Sequence, residues 1–190
     1  MLLDVLKYGH PVLRKKGARV ETVTPEIKKL IADMLETMAA KHGVGLAAQQ
    51  VGHALQVTVV DVREAKDRPS WLELHGKPAD VNDLMPLVLV NPEISPTGEP
   101  ATGAEGCLSF PEIFAEITRP ESVQVKALNG KGKPIEFRCG GLLARVIQHE
   151  VDHLNGILFI DRMDRNTKEE LRSQLDELQA ATKAELQKVR

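Results

Sequence analysis

At 190 residues, with 25 basic against 27 acidic side chains and a net charge of −2, the chain is long enough for one domain with a sizeable core. It offers no electrostatic reason to bind nucleic acid or a membrane surface. No run approaches the roughly 18 apolar residues of a membrane span. The opening Met1-Leu2-Leu3-Asp4-Val5-Leu6-Lys7 meets charge too early for a secretory signal, so a cytoplasmic location is expected. Two cysteines, Cys107 and Cys139, are too few for a disulfide scaffold and read as core or ligand residues.

In chain order, Gly9-His10-Pro11-Val12-Leu13-Arg14 reads as a loop running into a short turn. A helix over 25–41 follows: Thr24 suits its cap, Pro25 its first position, and Ile27, Leu30, Ile31, Met34, Leu35 and Met38 recur at helical spacing. Gly43-Val44-Gly45-Leu46-Ala47-Ala48-Gln49-Gln50-Val51-Gly52 lets the backbone approach another group closely and offers neutral amides. By itself it also fits a tight loop with two solvated glutamines. Leu55–Asp61 and Leu87–Val90 read as strands, and the polar 63–86 between them, holding Trp71, as an insertion loop with at most a short turn. Pro92, Pro96, Gly98, Pro100 and Gly103 argue against a long regular element there. They lead into a loop, Glu105-Gly106-Cys107-Leu108-Ser109-Phe110-Pro111, that presents the first thiol. Val123–Leu128, the Asn129-Gly130 turn and Pro134–Arg138 read as a hairpin, with Ile135, Phe137 and Cys139 on one face, so Cys139 is expected in the core.

The chain is organised around Gln148-His149-Glu150-Val151-Asp152-His153-Leu154-Asn155-Gly156. A helix after Gly140-Gly141, closing near Asn155-Gly156, puts His149 and His153 on one face, where two imidazoles can clamp a single metal ion. Glu150 lies about 100° round the helix, out of place as a ligand but well placed as a general base toward a metal-held water. Leu142 and Val146 lead into the same face. A thiolate completes a three-ligand set, and Cys107 is the candidate. Ile157–Ile160 then reads as strand-like, and 167–189 as a charged helix with a sparse stripe of Leu171, Leu175, Leu178, Leu186 and Val189.

Gly43-Val44-Gly45-Leu46-Ala47-Ala48-Gln49-Gln50, Glu105-Gly106-Cys107-Leu108-Ser109 and Gln148-His149-Glu150-Val151-Asp152-His153 together resemble, in the right order, the three signature motifs of the peptide deformylases. His10-Pro11-Val12-Leu13-Arg14 and a terminal helix similar to that of the bacterial type I enzymes extend the resemblance over nearly the whole chain. It implies removal of the N-formyl group from the amino-terminal formyl-methionine of nascent polypeptides, with formate released. It implies one Fe(II) per chain on Cys107, His149 and His153, with Zn, Ni or Co able to substitute; Cys and two His alone would have suggested zinc. Glu150 would be the base, and Gln50 and the Leu108 N–H the donors to the substrate carbonyl oxygen. Val44, Gly45, Leu142 and Val146 would receive the methionine end. Transient ribosome contact through the terminal helix is a further implication. The long 63–86 segment and Phe114, where some bacterial members carry a polar or basic residue, depart from the family pattern and bear on peptide specificity.

The expected architecture is α+β: one catalytic domain over 1–190, with short, mainly antiparallel strands around the central metal-binding helix and a C-terminal helix. Two other readings stay open. A zinc endopeptidase would need a downstream ligand such as Glu169 or Glu170, since Phe159 stands where the extended motif has histidine. A closed structural zinc site would recruit Cys139 beside Cys107.

Overall fold

The Thr24 side-chain oxygen accepts the Ile27 N–H at 3.2 Å, starting α1 (Pro25–Ala40) with Pro25 in the first turn, as the sequence predicts. Structure is described for residues 1–189 of a computed structural model. Leu30, Ile31, Met34 and Met38 form the buried face of α1 and pack on β1 (Gly45–Ala47) and β2 (Val57–Val60), where Leu46, Val57 and Val59 are fully buried. The remaining strands are β3 (Ser70–Leu74), β4 (Lys77–Ala79), β5 (Leu87–Cys107), β6 (Phe110–Leu128) and β7 (Pro134–Gly141), with a short α2 (Val81–Leu84) between β4 and β5. They join in one sheet ordered β1-β2-β5-β6-β7-β3-β4. Every strand pairing is antiparallel.

Three local expectations need correction. The prolines and glycines after Asn91 do not prevent a long element: β5 runs 21 residues and β6 19. Only Leu87–Val90 of β5 pair with β2, so from Asn91 onward one edge has no strand beside it, and register shifts fall at Val90/Glu93 and Thr97/Pro100. Proline is tolerated at such an edge and at such bulges. The 63–86 segment, expected as a loop, holds the β3–β4 hairpin and α2. His75 and Gly76 make its two-residue turn, both at positive φ, and Leu72 points into the core. Finally, Ile157–Ile160 is not a strand: Phe159–Asp161 form a 3-10 turn, with the Asp161 carboxylate accepting the Leu158 N–H at 3.0 Å. Leu158, Phe159 and Ile160 are all buried, which a half-buried strand does not allow.

The sheet surrounds α3 (Leu142–Leu154), and all 13 residues of that helix are buried. Leu143 and Ile147 pack with Leu89, Val123, Val125, Phe137 and Cys139 of β5, β6 and β7. The helix ends where Gly156 adopts φ +75°: its N–H donates to the His153 carbonyl, and the Ile157 N–H to that of Asp152. Asp164 caps the last helix, α4 (Arg165–Lys188), accepting the Thr167 N–H at 2.7 Å. Leu171, Leu175 and Leu178 of its stripe pack on Phe110, Phe159 and Ile160, whereas Val189 at its end is exposed. Burying Leu175 contributes about 1.5–3 kcal/mol to holding the helix there.

Candidate active site

Cys107 is the last residue of β5, not part of a free loop, and a tight hairpin joins it to Phe110 of β6. The long β5–β6 ribbon thus delivers the thiol to the buried face of α3. Its Sγ lies 3.4 Å from His153 Nε2, and the donor atoms of Cys107, His149 and His153 all fall within 4.8 Å of one another. A thiol and two imidazoles converging this closely are the donors a borderline divalent ion takes.

The electrostatics fit a cation as well. Burial disfavours a charged His149, yet Cys107 and Glu105 outweigh it and raise its pKa to about 10, so positive charge is stabilised at this spot. Burial, followed by the charge of His149, holds His153 well below the ordinary histidine range and keeps its ring neutral. Glu105 is itself buried, which alone would raise its pKa. Hydrogen bonds from His149 and Arg119 reverse that and hold it at about 2. An ionised Glu105 can only accept, so His149 Nδ1, 2.9 Å from its Oε1, carries a proton and Nε2 is the nitrogen that faces the donor cluster, where a bound cation would take the place of the second proton that the raised pKa favours.

Two guanidinium groups fix that carboxylate. Arg119 donates from Nε at 2.6 Å and Nη2 at 2.9 Å, and Arg145 from Nη1 at 2.9 Å. Arg119 also bonds Asp152 on α3, which Arg162 holds from the far side. Besides Glu105, Arg145 donates to the Ile117 and Ala101 carbonyls, which ties α3 to both β5 and β6.

Glu150 is 4 % exposed, and its Oε2 has no hydrogen-bond partner. Burial pushes its pKa up to about 7; His149 works against this and Glu105 with it. A carboxylate poised there, beside the donor set, can exchange a proton near neutral pH. Gly45 makes room for it, since a Cβ at that position would sit 2.6 Å from Glu150 Oε1. Gln49 and Gln50 are not solvated. Gln50 Oε1 accepts the Ala47 N–H at 2.9 Å, while Nε2 reaches Ser109 Oγ at 3.1 Å and Cys107 Sγ at 3.5 Å. Its amide donor is thereby held on the thiol side of the site. The Leu108 carbonyl accepts from Lys7 Nζ at 3.2 Å.

A cavity of about 520 Å³ opens beside these groups, and Val44, Gly45, Leu142 and Val146 line it together with His149 and Glu150. Every site residue expected from the sequence is brought to this cavity or to the three-donor cluster beside it. Ser109, Arg119 and Asp152 join the site beyond the residues expected from the sequence. Asp152 follows His149 by one helical turn, and Arg119 extends the inward alternation Ile113, Ala115, Ile117, so both carried a local signal.

The other two readings lose their ligands. Glu169 and Glu170 are exposed on α4, away from the donor cluster. Cys139 sits in the core on β7, where burial pushes its thiol up to about 12. Among the described residues no helix is long and apolar enough to cross a membrane.

Comparison with known proteins places the whole chain in one family. Residues 2–169 match the family model described as polypeptide deformylase. The peptide deformylase of Opitutus terrae is 42 % identical over 186 residues, covering 97 % of this chain and 96 % of that protein. That of Methylacidiphilum infernorum is 45 % identical over 178 residues, covering 94 % and 93 %. The crystal structure of a peptide deformylase from Legionella pneumophila superposes with a TM-score of 0.78 at 36 % identity, covering 95 % of this chain and 97 % of that one. With the family model spanning most of its length and such relatives covered almost end to end, this chain belongs to the polypeptide deformylase family.

Proposed function

We propose that Cys107, His149 and His153 hold one divalent ion and that Glu150, Gln50 and Leu108 carry the chemistry this chain performs as a deformylase. That reaction removes the N-formyl group from the amino-terminal methionine of newly made polypeptides and releases formate. The observation that carries the assignment is the buried, partnerless Glu150 carboxylate oxygen beside a three-donor cluster.

Cys107, His149 and His153 would hold the ion, Fe(II) in this reading with zinc, nickel or cobalt able to stand in, and once bound it would supply Lewis acidity beside Glu150. Glu150 takes a proton from the attacking water as the water's oxygen bonds to the formyl carbon. The same proton then goes to the departing amine as the carbon–nitrogen bond breaks, returning Glu150 to its starting state. Gln50 Nε2 and the Leu108 N–H donate to the oxygen on which negative charge develops. Val44, Leu142 and Val146 receive the methionine side chain, with Gly45 at its backbone. Residues 1–190 act as one catalytic domain, a reading supported by the packing of α4 on Phe110 and Phe159. The working location is the cytoplasm, where nascent chains emerge. The exposed face of α4 is the candidate for transient ribosome contact, without direct binding of nucleic acid.

The ligand assignment is tested by metal titration against a chromophoric chelator. Cys107→Ala is expected to bind Zn(II) or Co(II) more than roughly 100-fold more weakly, exceeding the loss typical of an outer partner, while Cys139→Ser binds as wild type. Wild-type affinity in Cys107→Ala would remove the thiol from the ligand set.

A further inference from the structure

We propose that Phe114 determines specificity for the residue that follows formyl-methionine, favouring large apolar and above all aromatic side chains there; this rests on the deformylase reading of the site. Phe114 is 69 % exposed, yet it lines the same cavity as His149 and Glu150. An aromatic ring left open to water at a binding cavity offers a face for a partner.

The position of the ring follows from the sheet. Along β6, Phe110, Ile113, Ala115 and Ile117 turn inward and are buried, while Phe114 and Glu116 turn outward and are exposed. On β5, Glu105 turns inward toward His149, and Ala104 and Gly106 outward. Phe114 is paired in register with Gly106. A Cβ on Gly106 would lie 2.6 Å from the ring's Cε1 and 2.7 Å from its Cδ1, so the ring rests against the glycine backbone where a side chain would stand. Any other residue at 106 would displace it. The ring therefore leans across β5 toward the edge that has no neighbouring strand.

On that edge the Ala104 carbonyl accepts from Arg68 Nη1 at 2.9 Å. Gly106, two residues on, presents its peptide groups to the same edge beside the cavity. An extended peptide laid there alternates its side chains across the sheet. With methionine directed inward to Leu142 and Val146, the next side chain must turn outward. It passes over Gly106, which has no side chain to obstruct it, and meets the Phe114 ring. Contact with an aromatic face adds to simple area burial, and an aromatic partner gains most.

The test is kcat/KM for formate release from formyl-Met-X-Ser peptides with X as Phe, Leu, Ala or Ser, using metal-loaded wild type, Phe114→Ala and Phe114→Leu. Wild type is expected to favour X = Phe over X = Ala by roughly three- to tenfold. In Phe114→Ala that ratio falls toward one, mainly through KM; Phe114→Leu keeps part of the Leu preference and loses the aromatic excess. A ring that only covers Gly106 for stability would change the rates on all four peptides alike. An unchanged Phe-to-Ala ratio in Phe114→Ala, or no preference in wild type, would overturn the proposal while leaving the deformylase reading intact. Formate released from none of the peptides by wild type would overturn that reading and this one with it.

Discussion

Glu150→Gln is expected to lower kcat for formate release by at least ~10²-fold while leaving bound metal and thermal stability close to wild type. Gln keeps the size and one acceptor oxygen of Glu but cannot take a proton near neutral pH. The position is buried, with no hydrogen-bond partner on Oε2, so little native bonding is lost when the charge disappears. Removing an uncompensated buried carboxylate even relieves a desolvation cost. Activity should thus fall while stability holds, which separates a catalytic role from a structural one. Equal losses of metal, stability and rate would instead make Glu150 part of the scaffold.

Arg119→Ala carries the largest expected stability effect, a loss of about 3–5 kcal/mol in urea or thermal unfolding. The guanidinium is 5 % exposed and joins Glu105 to Asp152, so its removal strands two carboxylates in the interior. Arg145 still faces Glu105 and Arg162 still faces Asp152, which keeps the loss within this range and the chain foldable. Because Glu105 orients His149, metal affinity should fall as well, by roughly 10–100-fold. Arg119→Lys restores the charge without the planar fork that serves both carboxylates, and is expected to recover only part of either quantity. Unfolding and chelator competition on both variants check this. A stability change under about 1 kcal/mol would mean that the two remaining arginines satisfy the network alone.

What the sequence disclosed follows from how local each signal is. His149, Glu150 and His153 lie on one helix, and helical periodicity alone places them together. The cap of α1 by Thr24 and the closure of α3 at Gly156 are similarly short-range. Cys107 needed a long-range inference, from an incomplete ligand set to a residue 42 positions before His149. The links of Arg119 and Arg162 to Asp152 behind the ligands carry no local signal as a set, because they join β6, α3 and the turn after it, although Arg119 continues an inward-facing alternation.

The strand errors have a different cause. Proline and glycine break a strand that is paired on both sides, but β5 lacks a neighbour along one edge past Asn91, so a proline there gives up no ladder bond on that side. The β3 strand draws its stability from pairing with β7, more than sixty residues later, which no local pattern announces. At Ile157–Ile160 a continuous apolar run is compatible with either a strand or a packed turn, and Asp161 decides it by capping Leu158. The contact between Gly106 and Phe114 is invisible without the register of β5 on β6.

In the reading proposed above, this chain hydrolyses the formyl amide of formyl-methionine at the Cys107, His149 and His153 cluster. The most direct measurement is formate release from a formyl-Met peptide by protein prepared anaerobically and loaded with Fe(II), followed against metal content. Formate is expected in step with the free methionyl amine, with activity proportional to bound metal at up to one ion per chain and loss of both on chelation. A fully metal-loaded protein that binds the peptide yet leaves its formyl group in place would contradict it.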